Sequence, residues 1–304
     1  MRLDKSKIRG IFPAMVTPTD KADNVNKTVA KKLTGFLIES GVSGLVPLGG
    51  TGEFTALSPA DRATMVETVV DEAAGRIPVV AGVLSPGFKE AVAAGLDFKK
   101  AGADGVLLIT PFYIRPTQEG MTSYFSEWIA RVDLPVIIYE IPYRTGVFLE
   151  PDTYRKIVDE NELIIGMKAC NTDMVHFCRT NLLVGEKISV LSGEEHLFTS
   201  HMVLGATGGL LATCNVFPTA WVRICDLCLA GDFVTARRLH ADLVPFLDAV
   251  FAEGNPGPLK EAMQLIGFDV GQALRPLAKP RQSTIERLKA TAQPLLAKPI
   301  ETRA

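Results

Sequence analysis

Eight times in succession a short apolar run gives way to a longer amphipathic stretch. "GIFPAMVTP" is followed by "KTVAKKLTGFLIESG", "GLVPLG" by "SPADRATMVETVVDEAAG", "PVVAGV" by "FKEAVAAGLDFKKAG" and "GVLLITP" by "GMTSYFSEWIARV". "PVIIYEIP" then precedes "PDTYRKIVDE", "LIIGMKAC" precedes "TDMVHFCRTNLL", "ISVLSG" precedes "EHLFTSHMVLG", and "GGLLATCN" precedes "TAWVRICDLCLAG". Short apolar runs bounded by Gly and Pro read as buried strands, and the amphipathic stretches as helices. Strict alternation demands a parallel sheet with helical crossovers, and eight units match a (β/α)8 TIM barrel over residues 1–230. Alternation alone does not show closure, so a doubly wound open sheet is the alternative. The first strand is not followed by G-x-G-x-x-G and there is no G-K-[ST] phosphate loop, which favours the barrel. From residue 231 to 304 the pattern changes to three helices, separated by "GNPGP" and "LRPLAKP". This C-terminal helical region is expected to pack beside the barrel, at a subunit interface or as a small cap.

Composition narrows the function. Thirty-two basic against thirty-four acidic residues leave a net charge of −2, with 47% apolar residues. No excess positive field is present to draw nucleic acid or an anionic membrane, and no apolar run is long enough to span a bilayer. The charged start "MRLDKSKIRG" does not read as a signal peptide, so a cytoplasmic protein is expected. Five cysteines in a long chain suggest reduced thiols. Cys225 and Cys228 form one C-x-x-C in an apolar helical stretch, where packing is the expected role. The four histidines show no ligand spacing, so no metal is expected.

One residue does not fit its surroundings. Lys168 lies in "IIGMKAC", an apolar segment near the end of its strand. Side chains alternate along a strand, so Gly166, Lys168 and Cys170 share the inward face. Lys168 could snorkel to a carboxylate or to solvent. It could also be a desolvated amine able to attack a ketone and form a Schiff base. On the preceding strand Tyr139 shares its alternation with Ile137 and Ile141. It is either core with its hydroxyl bonded or a proton carrier beside the amine. The turn "PLGGTGEF" offers Gly49, Gly50, Thr51 and Gly52, whose backbone N–H groups could hold a carboxylate. Together these describe a keto-acid site.

"GLVPLGGTGEFTALSPADR", "YEIPYRTG" and "IIGMKAC" resemble the signature stretches of the dihydrodipicolinate synthase/N-acetylneuraminate lyase superfamily. The resemblance runs from "GIFPAMVTPTD" to "NPGPLKEAMQLIG". It implies a (β/α)8 barrel, usually in a homotetramer built as a dimer of dimers, and class I chemistry on pyruvate or a related 2-keto acid. No cofactor is implied beyond a covalent imine on the protein. Lys168 then matches the Schiff-base lysine and Tyr139 the tyrosine that shuttles protons. Gly50 and Thr51 match the loop that holds the keto-acid carboxylate, and Leu210 the position whose carbonyl faces the substrate. Tyr113 matches a tyrosine that reaches a neighbouring subunit's site. Arg144 matches the arginine by which the synthases bind the carboxylate of aspartate semialdehyde.

Several positions depart from the synthase pattern. Gly50 stands where a threonine usually links two tyrosines in a proton relay, and "GGTGEF" also resembles the loop of dehydratases acting on keto-deoxy sugar acids. Glu140 stands where asparagine is common, as an extra acid/base or as an outward structural carboxylate. Arg144 could alternatively be a surface residue pairing with Glu140 or Glu150. Around the cleft where lysine inhibits some synthases the chain has Phe54, Thr55, Pro59, Pro86 and Phe112, with only Glu90 acidic, so feedback inhibition by L-lysine is not expected. The expected activity is condensation of pyruvate with an aldehyde, L-aspartate 4-semialdehyde in the leading reading. A 2-keto-3-deoxy sugar acid aldolase or dehydratase is the alternative. A keto-acid-binding sensor without turnover is opposed by the intact Lys168, Tyr139 and Thr51.

Overall fold

The computed structural model describes residues 3–302. Seven parallel strands form one curled sheet: β1 (Gly10–Pro13), β2 (Val80–Val83), β3 (Gly105–Ile109), β4 (Val136–Glu140), β5 (Ile164–Ala169), β6 (Ser189–Ser192) and β7 (Gly208–Leu211), in the order β1-β7-β6-β5-β4-β3-β2. All but Gly10 of these strand residues are buried, which is why the runs are continuously apolar or small rather than alternating. Helices cover the outer face. Their starts are written locally: Asn26, Ser58, Thr117 and Asp173 each accept a hydrogen bond from a backbone N–H of the first turn.

The expected second strand, residues 44–49, is not a continuous strand. It contributes two single-residue bridges, Ala14 with Val46 and Leu45 with Val79. Backbone hydrogen bonds nevertheless flank it on both sides. Ser43 N donates to Ile11 O and Val46 N to Pro13 O, while Leu45 N donates to Pro78 O and Val80 N to Leu45 O. Pro13 has no N–H, so one rung of this pairing cannot form. At the other end Leu48 turns into the left-handed region at φ 63°, which ends the extended backbone. This short segment lies between the two edge strands, β1 and β2.

The last three long helices, Phe233–Val250, Gly257–Gln264 and Gln282–Ala297, pack on one another and on the helix Pro218–Leu229. A buried ion pair fastens them to the turn after residue 47: Lys260 Nζ lies 2.6 Å from Glu53 Oε2. The rest of the pair's valence is met by backbone. Leu274 N donates to Glu53 Oε1 at 2.6 Å, and Lys260 Nζ donates to Gln272 O at 3.0 Å. No described helix is long and apolar enough to cross a membrane.

Candidate active site

At the C-terminal ends of the strands lies a cavity of about 390 Å³. Tyr139 and Lys168 are direct partners in the β4–β5 ladder, so both project to the same side. Lys168 is 7% exposed and Tyr139 4%, and the ammonium nitrogen sits 4.6 Å from the Tyr139 ring centroid. Among the described residues no carboxylate forms an ion pair with Lys168, so the snorkelling reading finds no partner. The ring face instead offers a cation–π contact. The lysine also needs a small neighbour across β6. A Cβ on Gly193 would fall 2.2 Å from Cys170 Sγ and 2.9 Å from Lys168 Cε. Burial first, and then the nearby Cys170, push the Tyr139 hydroxyl well above its ordinary range. It therefore stays protonated near neutrality, as a proton carrier requires.

The turn after residue 47 forms a second wall. Gly52 cannot bear a side chain, because a Cβ there would lie 2.6 Å from Leu48 N, and Thr17 Oγ1 donates to Gly52 O at 2.7 Å. Within the described residues the N–H groups of Gly50 and Thr51 find no backbone acceptor, which leaves them available to an anion. Asn255 Nδ2 donates to Thr51 Oγ1 at 2.9 Å, so the C-terminal region supplies part of this wall. Gly50 leaves open space: a Cβ would meet Arg144 Nη1 at 3.7 Å and Tyr139 Oη at 3.8 Å, ordinary contacts.

Arg144 lines the cavity from the short helix Pro142–Thr145. It is exposed and pairs with neither Glu140 nor Glu150 among the described residues. Glu140 follows Tyr139 on the ladder and so points outward, away from the cavity. It is fully buried, accepts Leu149 N at 2.9 Å and Asn171 Nδ2 at 3.3 Å, and lies 3.2 Å from His176 Nε2. Of the two roles open to it, the structural one fits. Glu140 ties the segment carrying Arg144 to the turn that follows Lys168.

Leu210 and Tyr113, the latter expected at a neighbouring subunit's site, are not among the residues lining this cavity. Leu210 is completely buried within β7, and Ala212 rather than Leu210 lines the cavity. Tyr113 does not enter the cavity of its own chain. It sits at φ 71° and is 91% exposed, an uncommon backbone state for a tyrosine.

Sequence reasoning missed the acidic pair in "SGEEHL". Glu195 is buried and accepts Ala212 N at 2.6 Å and Thr213 N at 3.2 Å, holding the turn after β7. Its carbonyl accepts His240 Nε2 at 2.8 Å, and burial drives that imidazole down to about 4, leaving it neutral. Glu194 lines the cavity itself. Burial and then Glu195 raise its carboxyl to about 7, while Tyr143, Lys168 and His196 pull it down. Two adjacent carboxylates beside a strand predicted to end in the site were the available signal.

A buried amine beside a phenol that stays protonated, at the strand ends of a parallel α/β sheet, is the arrangement that class I lyase chemistry requires. The model of the dihydrodipicolinate synthetase family matches residues 7–295, and the chain belongs to that family. It is 36% identical over 93% of its length to the 4-hydroxy-tetrahydrodipicolinate synthase of Methanopyrus kandleri, covering 95% of that protein. It is 38% identical over 86% of its length to the protein of the same name from Bradyrhizobium diazoefficiens, covering 88%. Its fold is similar to the chloride-inhibited dihydrodipicolinate synthase of Acinetobacter baumannii solved with pyruvate. There the TM-score is 0.90 at 31% identity, covering 94% of this chain and 98% of the other.

Proposed function

We propose that this chain is a 4-hydroxy-tetrahydrodipicolinate synthase, condensing pyruvate with L-aspartate 4-semialdehyde on Lys168. The observation that carries the reading is the ladder pairing of Lys168 with Tyr139 inside a cavity that Arg144 also lines. The Lys168 amine attacks the pyruvate ketone carbon and water leaves, giving an imine held covalently by the protein. No other cofactor is required. Loss of a methyl proton gives an enamine, whose carbon attacks the aldehyde and forms the new C–C bond. The aldehyde oxygen takes up a proton, which the protonated Tyr139 can supply, and the substrate amine then adds to the imine carbon and displaces the Lys168 amine, closing the ring and freeing the enzyme. The free N–H groups of Gly50 and Thr51 suit the pyruvate carboxylate, and the guanidinium of Arg144 suits a second carboxylate. In this reading segment 43–47 closes the sheet into a (β/α)8 barrel. The enzyme is cytoplasmic and works as a homotetramer in which Tyr113 completes a neighbour's site.

A second reading, a 2-keto-3-deoxy sugar acid aldolase or dehydratase, is favoured by the open space at Gly50, where the synthases' threonine hydroxyl would stand. A panel of aldehydes with pyruvate, set against dehydration of keto-deoxy sugar acids, separates the two. Turnover of aspartate semialdehyde with no dehydration supports the synthase. Dehydration with no condensation overturns it.

A further inference from the structure

We propose that Asn255 is a positioning residue for keto-acid binding: its amide holds the Thr51 hydroxyl so that the one hydrogen of that hydroxyl points at the pyruvate carboxylate. The inference rests on pyruvate binding at Lys168 and makes the C-terminal helical region part of that binding. Asn255 lies between the helices Phe233–Val250 and Gly257–Gln264 and lines the cavity. Thr51 lines it from the turn after residue 47 and is buried. A hydroxyl has one hydrogen to give and two lone pairs to receive. Asn255 Nδ2 donates to Thr51 Oγ1 at 2.9 Å, which fills one lone pair and leaves the hydrogen unspent. Among the described residues no acceptor takes that hydrogen. The free N–H groups of Gly50 and Thr51 lie on the same turn, so an anion seated on them has the hydroxyl hydrogen beside it.

The amide keeps this orientation at a cost. Asn255 Oδ1 is buried and has no hydrogen-bond partner, and a buried acceptor left unpaired is unfavourable. Turned over, the amide would receive the Thr51 hydrogen and leave none for an anion. The orientation seen leaves the amide half-satisfied and the hydroxyl free to donate into the cavity. A second grip fixes the same turn. Glu53, two residues after Thr51, sits at φ 56°, an uncommon state for a residue with a side chain. It pairs with Lys260, five residues after Asn255. One short stretch of the C-terminal region thus holds the turn at two points. Lys260 sets where the turn lies, and Asn255 sets which way its hydroxyl points.

The test reads the pyruvate concentration that half-saturates borohydride trapping on Lys168. Asn255→Leu keeps the branched shape and removes the donor. It is expected to raise that concentration about tenfold, the loss of one hydrogen bond to a charged group. Both kcat at saturating pyruvate and KM for L-aspartate 4-semialdehyde are expected to stay within about twofold, a split that a general loosening of the fold would not give. In a Thr51→Val background there is no hydroxyl to orient, and the same substitution is expected to change the value by less than about twofold. Asn255→Ala is read in the same way should the leucine variant fail to trap. A loss of equal size in both backgrounds overturns the assignment, because Asn255 then acts without the hydroxyl. An unchanged or lower half-saturating concentration with Thr51 intact also overturns it, since that is the result when Thr51 donates to the amide. So does a loss of trapping at every pyruvate concentration in both Asn255 variants, because a positioning residue weakens binding without abolishing it. A parent enzyme that traps no pyruvate on Lys168 overturns the synthase reading itself, a result distinct from these.

Discussion

Lys168 and Tyr139 meet because strand side chains alternate and because parallel neighbours in register project to one side. That pairing was legible from the strands alone, as was the inward face shared by Gly166, Lys168 and Cys170. What the strands could not reveal is which turn residues come back over them. Glu194, Tyr143 and Asn255 reach the cavity through turn geometry and the C-terminal helices, which no periodicity encodes. The direction of Glu140 was equally hidden until its outward partners, Leu149, Asn171 and His176, were in place. Gly50 gives the sharpest prediction at this scale. Its φ is not in the positive region, and a Cβ there makes only ordinary contacts, so threonine fits. Gly50→Thr sets a hydroxyl beside Tyr139 and is expected to raise kcat/KM for aspartate semialdehyde by about tenfold, within the reach of one added proton-relay group. A steady-state assay showing a fall instead would favour the sugar-acid reading.

At the scale of elements, caps and apolar runs dictate most of the sheet and its helices. The second expected strand is the instructive departure. Pro13 on its neighbour removes a rung and Leu48 bends away at φ 63°, so an apolar run that reads as a strand survives as two bridges. Strand pairing depends on the partner's donors, which a run read by itself does not contain. The same turn is held from behind by Glu53 and Lys260, whose side chains are 3% and 1% exposed. Lys260→Met leaves a buried carboxylate unpaired and is expected to cost about 3–5 kcal/mol, seen as a lower urea midpoint with an unchanged slope. Replacing Glu53 by Gln as well should recover a substantial part of that loss. A single variant as stable as the parent would show that the pair does not fasten the C-terminal helices.

For the whole molecule, the alternating sequence and the family likeness agree on a parallel α/β fold. Glu90, the acidic residue among the positions that match the lysine cleft of inhibited synthases, is already bound by Arg62 at 2.9 Å. The Arg62 guanidinium also lies 3.8 Å from the Phe54 ring centroid. An incoming amino acid would have to displace both contacts, so L-lysine is expected to leave activity nearly unchanged when titrated at subsaturating substrate. Strong inhibition would contradict this. The central claim, that Lys168 is the nucleophile, is tested most directly by incubating the protein with pyruvate, reducing with borohydride and mapping the modified peptide by mass. The account predicts one stable pyruvyl adduct on Lys168, lost in Lys168→Ala. An adduct on another lysine, or none with any 2-keto acid, would contradict it.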